Sequence, residues 1–349
     1  MAERVEWIDT AKGVGIILVI AGHTFFIMYS AIIYAFHMPL FFFLSGLVLN
    51  TAKYPSCSEL IKAKTIQVLR PWLFFYVSSL IVTILIPAWR SALSWRQMLT
   101  ELYTANTNNI NNSSIWYLVC LFATFVILYL IHSLLRHVSE KGTIVFLLFL
   151  GGALLWIKEF LALIAPAFHL IQGRLPFKID TALVAFIFMY IGYRFRDYVF
   201  KLIENSSLLK LSIAVLALFA GFAVNRWSNI NGLVFGNYRL LYYPIAFLGI
   251  YCVLSFCFLI SRQREAMCRQ LRIVLVFYGV NCLVVFGFQS LLIRLYIWIA
   301  NDYYGQSMVL YGNNSMIHQV CSFVLVCFVF SPIVVMGMKQ LQKQGFKLI

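Results

Sequence analysis

Apolar runs long enough to cross a lipid bilayer, separated by short polar breaks, repeat along the whole of this 349-residue chain. A hydrocarbon core about 30 Å thick is spanned by about 20 apolar residues in a helix. The runs divide into ten predicted spans: Gly13–Tyr29, Ala31–Leu49, Pro71–Ala88, Ile115–Leu135, Thr143–Ile157, Thr181–Tyr193, Leu211–Val224, Leu240–Ile260, Ile273–Ala300 and Ile317–Met338. Almost nothing separates the first two, which predicts a tight helical hairpin. The expected fold is all-α, a polytopic integral membrane protein of about ten transmembrane helices. It reads as one domain over residues 1–349 with no appended soluble domain. The composition excludes the alternatives. With 62% hydrophobic and 11% charged residues, the chain is far from both the soluble globular average and the polar, highly charged make-up of disordered chains.

The charge is lopsided, 27 Lys and Arg against 12 Asp and Glu. On a soluble protein this excess would point to nucleic acid. Here, with ten spans, 19 of the basic residues fall on the face that holds both termini and 8 on the other. That asymmetry makes the first face, termini included, cytoplasmic, and anionic lipid rather than nucleic acid is the expected partner of the charge. The start, MAERVEWIDTAKG, mixes acidic and basic residues and lacks the pattern of a removable signal peptide. Of eight cysteines, six lie inside apolar runs and no C-x-x-C pair occurs, so they read as small apolar packing residues. The loops of the opposite face, Thr104–Ser114, Asn225–Arg239 and Asn301–Ser315, are rich in Asn, Tyr and Trp. Amide groups and flat amphipathic rings suit a carbohydrate, and equally an ordinary interfacial belt.

The first span carries the sharpest constellation, Asp9, Lys12 and His23 in IDTAKGVGIILVIAGH. Eleven positions separate Lys12 from His23, close to three helical turns, which puts both on one stripe about 16 Å apart. An imidazole at that depth is costly and marks a functional candidate, with general acid–base chemistry its natural use. His37, in FHMPLFFFLSG, could pair with His23 across the hairpin and hold its tautomer, while Pro39 can kink the second span. Lys62, Lys64 and Arg70 form a basic cluster in a predicted loop, Leu60–Trp72, able to meet phosphate groups or simply to anchor the inner face. None of the carboxylates lies securely mid-span, Asp180 and Glu159 coming nearest, which counts against a proton-coupled carrier. The chain holds no Walker loop, no G-x-S-x-G elbow and no H-E-x-x-H, so the chemistry expected here uses no metal.

These residues resemble membrane acyltransferase family 3, the polytopic bacterial O-acyltransferases, and within it the fucose 4-O-acetylase-like branch. The resemblance rests on Ile8–His23, Phe36–Leu49, LRPW at Leu69–Trp72, IWYLVCLF at Ile115–Phe122, Leu175–Tyr193 and Tyr278–Gln289. It implies transfer of an acyl group, usually from acetyl-CoA reached from the cytoplasm, to a hydroxyl of a surface or lipid-linked glycan. The implied location is a bacterial cytoplasmic (inner) membrane. His23 is the implied catalytic base. Lys12, His37, Lys64, Arg70, Trp116 and Asp180 would contact acyl-CoA or substrate, and Asp9 and Gln67 would support them. The chain also departs from the family pattern. Lys12 stands where the family has arginine, Lys64 and Gln67 fall at the places of a second arginine pair, and Gln289 replaces a frequent histidine. The last departure leaves the ninth span outside the expected catalytic set. Two other classes fit ten spans with polar outer loops: a glycan or small-anion transporter or flippase, and an acyltransferase-like membrane protein without activity.

Overall fold

The computed structural model describes residues 5–25, 27–90, 93–304 and 316–344, with the backbone alone described at 27–29 and 301–304. Its first half comprises α1 (Glu6–Thr24), α2 (Ile27–Leu47), α3 (Cys57–Lys64), α4 (Arg70–Leu85), α5 (Pro87–Arg90), α6 (Trp95–Thr104), α7 (Trp116–Leu135), α8 (Glu140–Leu154) and α9 (Ile157–Phe168). The second half comprises α10 (Ile179–Arg194), α11 (Arg196–Glu204), α12 (Leu208–Val224), α13 (Tyr242–Arg262), α14 (Ala266–Val280), α15 (Cys282–Tyr304), α16 (Met316–Leu325) and α17 (Ser331–Lys343). A two-stranded antiparallel hairpin, β1 (Ser228–Asn229) and β2 (Val234–Phe235), caps one loop. Among the described residues seven helical stretches are long and apolar enough to cross a membrane, and nine when two bent pairs each count as one. Those nine correspond one for one to the second through tenth predicted spans. The helix of the first span, α1, is not among them, because Glu6, Asp9, Lys12 and His23 lower its hydropathy. The protein is an all-α, multi-pass membrane protein.

Local chemistry explains where the spans depart from straight rods. The predicted loop Leu60–Trp72 is helical throughout: α3 runs through a π-turn at Thr65–Leu69 directly into α4. Pro71 has no N–H to give the Gln67 carbonyl, and the Arg70 N–H reaches back five residues to the Thr65 carbonyl instead. The same device recurs before Pro332, where the Ser331 N–H bonds the Val326 carbonyl across a π-turn at Val326–Phe330. By contrast, α2 stays helical through Pro39. The fifth predicted span ends early. Here α8 and α9 meet at 59°, while α11 and α12 meet at 113°. The ninth, expected to be continuous from Ile273 to Ala300, breaks at Asn281, whose side-chain amide donates to the Phe277 carbonyl at 2.7 Å and satisfies the frayed end of α14.

Small residues set the closest helix contacts, as expected where lipid removes the hydrophobic drive for association. Gly13 and Gly279 bring α1 and α14 together, each lying against a backbone carbonyl of the other helix (Leu275 and Asp9). Gly46 and Gly192 do the same for α2 and α10, against Met189 and Phe43. Within the first hairpin Gly15 faces Phe41 and Gly22 faces Tyr34. This register makes α1 and α2 antiparallel, as their short connection predicts.

Candidate active site

The helix α1 is uninterrupted from Glu6 to Thr24. Eleven residues at about 100° each therefore return to within about 20° of the starting direction, and Lys12 and His23 share one stripe at opposite ends of the helix. At the N-terminal end the Lys12 ammonium bonds the Asp9 carboxylate at 3.2 Å, with Asp9 buried and Lys12 partly exposed. At the other end His23 keeps partial exposure. Its Nε2 lies 3.3 Å from the Ser114 hydroxyl, and the Gln289 amide donates to that same hydroxyl oxygen. Gln289 takes one of the two acceptor positions on the Ser114 oxygen, and with the His23 proton on Nδ1 the Ser114 hydroxyl donates to Nε2. Ser114 and Gln289 are both buried.

His37 does not pair with His23. Each packs instead against the Tyr34 ring, near-perpendicular to both, at 6.2 Å from His23 and 5.1 Å from His37. One turn of α2 explains this: His37 Nδ1 lies 2.7 Å from the carbonyl of Ile33, four residues earlier. A carbonyl only accepts, so Nδ1 carries the proton and Nε2 keeps the lone pair. The Tyr34 hydroxyl donates to the Gly22 carbonyl at 3.1 Å and ties the two helices together beside His23.

Ser114 is delivered by the Asn-rich segment before α7, which is stitched down along its length. The Asn109 N–H donates to Glu101 Oε1 at 2.5 Å, and Thr107 Oγ1 donates to the Asn112 carbonyl at 2.6 Å. Asn112 Nδ2 donates to Ser79 Oγ at 2.9 Å and to the Gly287 carbonyl at 2.8 Å, and Ser113 meets Ser290 at 3.2 Å. The surface-like polarity of this segment in the sequence is therefore an internal hydrogen-bond network that joins α4, α7 and α15 at the His23 end.

The remaining predicted residues fall elsewhere. Lys64 is buried rather than exposed in a loop. Its ammonium sits 4.1 Å from the Phe125 ring centroid and 5.5 Å from that of Tyr54, and donates to Gln67 Oε1 at 3.1 Å. Lys64 closes α3 on its buried face, while Gln67 in the π-turn and Arg70 at the start of α4 are exposed. Asp180, at the start of α10, is fully buried and its carboxylate is committed. Arg174 grips it with Nε at 2.5 Å and Nη2 at 3.0 Å, and the Thr181 N–H adds a bond at 2.6 Å. Trp116 meets this cluster through Lys178, whose ammonium lies 5.6 Å from the indole centroid and donates to Asn231 Oδ1 at 2.7 Å. Phe177 and Lys178 both take left-handed backbone (φ 53 and 58), a strained turn that carries the lysine into the interior. Ser114, Gln289, Tyr34, Arg174 and Lys178 are thus added by the structure. Of these, only the polar Gln289 inside an apolar run gives a signal in the sequence.

Residues 5–336 match the model of a family described as an acyltransferase domain, the acyltransferase 3 family. The chain belongs to the acyltransferase 3 family. Neither a curated protein nor a solved structure is similar enough to be matched to it. The match takes in every site residue named above, and acyl transfer by a membrane protein is the activity it establishes.

Proposed function

We propose that this family member is an O-acyltransferase of a bacterial cytoplasmic membrane, of the fucose 4-O-acetylase-like branch, with both termini in the cytoplasm. It moves an acyl group, acetyl in the first instance, from cytoplasmic acyl-CoA to a hydroxyl of a cell-surface or lipid-linked glycan. The observation that carries this reading is the partly exposed His23, hydrogen-bonded at the far end of the same α1 stripe that begins with Lys12. Lys12, with the exposed Arg70, supplies cations for the CoA phosphates, and the pantetheine arm would cover the roughly 16 Å of helix between Lys12 and His23. His23 Nε2 accepts the proton of the attacking hydroxyl. The hydroxyl oxygen bonds to the acyl carbon, the C–S bond breaks, and His23 returns the proton to the leaving sulfur. A positioned base of this kind supplies about 10²–10⁴-fold.

The test is the mass of the surface glycan from cells with and without the protein. One acetyl increment per modified residue is expected with the native chain. A His23→Ala variant that inserts and accumulates normally is expected to lose it. Unchanged acylation by that variant would overturn the mechanism. Transport of a glycan by purified protein in vesicles without acyl-CoA would replace the reading with a carrier.

A further inference from the structure

In the resting arrangement His23 Nε2 is already engaged, by the hydroxyl of Ser114 at 3.3 Å. A glycan hydroxyl cannot give its proton to the same lone pair without displacing Ser114. Yet Ser114 is only 2% exposed, and it is held from its other side by the Gln289 amide, itself fully buried on α15. The neighbouring residues are fastened too, Ser113 to Ser290 and Asn112 to Ser79 and Gly287. Displacement is therefore expensive. A hydroxyl and an imidazole within hydrogen-bond reach are the core of an activated nucleophile, and here the third group, Gln289, holds the hydroxyl rather than the base. Two further features favour charge on Ser114 Oγ as its proton leaves. Gln289 donates to it, and Ser114 stands at the N-terminal end of α7, where the helix dipole is positive.

We propose that the acyl group passes through Ser114, as an ester on its Oγ. This rests on the acyltransferase reading above and refines its chemistry into two displacements. In the first, the Ser114 proton moves to His23 Nε2, Oγ bonds to the acyl carbon, the thioester C–S bond breaks, and the thiolate takes the proton from His23. Acylated Ser114 has no hydrogen left to donate, so Nε2 is released. In the second, the glycan hydroxyl gives its proton to the freed Nε2 and its oxygen bonds to the acyl carbon. The ester bond to Oγ then breaks, and Oγ recovers the proton. No other reactant is needed. The scheme also resolves how one imidazole serves a donor and an acceptor arriving from opposite ends of the bundle. Gln289 is a positioning residue in it, acting through Ser114.

The experiment uses the purified full chain in lipid nanodiscs with acetyl-CoA radiolabelled in the acetyl group and no glycan, followed by acid quench and peptide mass spectrometry. Label on the peptide holding Ser114, released by hydroxylamine, is expected. Ser114→Ala is expected to remove the label and to lower glycan acetylation in cells by about 10²-fold or more. Ser114→Cys, which guards against a folding defect in the first variant, is expected to carry the label as a thioester. Gln289→Leu is expected to slow labelling while leaving its site unchanged. If cells with Ser114→Ala still acetylate their glycan at the native rate, and the native chain takes up no label, the Ser114 step is overturned while the acyltransferase reading survives. If native cells show no acetyl increment at all, that reading falls and the Ser114 step with it.

Discussion

Glu101, on α6 and outside the spans, gives the sharpest pH prediction. It is 4% exposed, its Oε1 accepts the Asn109 N–H at 2.5 Å, and its Oε2 is buried without a hydrogen-bond partner. Burial pushes its carboxyl up from the usual 4.5 to about 7, against the opposing pull of the Asn109 and Asn108 N–H groups. When the segment opens, Glu101 becomes an ordinary carboxylate. Between pH 4.5 and 7 the closed state therefore holds a proton that the open state has lost. Stability of the closed segment is full below pH 4.5, falls as pH rises to 7, and is flat above it. At about 1.36 kcal/mol per pH unit, the interval is worth about 3 kcal/mol, or about 300-fold in the opening equilibrium. Hydrogen exchange of peptides covering residues 101–114, corrected for the intrinsic pH dependence of exchange, measures this directly. Native protection is expected to fall by about 300-fold from pH 4.5 to pH 8, and Glu101→Gln, which cannot ionise, is expected to flatten the profile. Equal slopes for the two proteins would refute the argument. Because this segment carries Ser114 to His23, acyl transfer is expected to lose its alkaline limb in step with protection.

Three further outcomes follow from the packing and the ion pairs. Gly279→Ala would drive a Cβ into the Asp9 carbonyl and force α1 from α14, an overpacking cost of about 1–3 kcal/mol that a thermal shift in detergent would register, with loss of the Lys12–Asp9 geometry. Asp180→Ala leaves the Arg174 guanidinium, 16% exposed at its side chain, without its carboxylate. The expected loss is about 3–5 kcal/mol, and an unchanged melting temperature would show the pair to be dispensable. Lys12→Ala is expected to raise KM for acyl-CoA about tenfold, the worth of one charge-assisted hydrogen bond of about 1.5 kcal/mol. Lys12→Arg is expected to restore it, and an unaltered KM in the alanine variant would remove Lys12 from the donor site.

How much of this was readable in the sequence depends on what carries each feature. The spans were legible because lipid demands long apolar helices, and the α1–α2 hairpin because no residues remain to make a wider turn. Their interruptions were not. Pro71 and Pro39 look alike in sequence, yet only the first is preceded by a π-turn. The break at Asn281 hides inside an apolar run because one amide suffices to end α14. At the site, His23 and His37 stood out because an imidazole among apolar residues is rare, but their partners did not. A serine at the end of TNTNNINNSS looks like surface, and nothing local says that Asn109, Asn112 and Ser113 fold inward onto Glu101, Ser79 and Ser290. The surroundings of Lys64 were hidden for the opposite reason. A cation flanking a span reads as an anchor, while in the folded chain aromatic rings and Gln67 replace water around it. In a membrane protein the sequence marks a polar group by its cost, and that cost is met by groups distant in the chain. The candidate base, His23, was therefore visible from α1 alone, whereas the hydroxyl that engages it is defined only once α7 and α15 close around it.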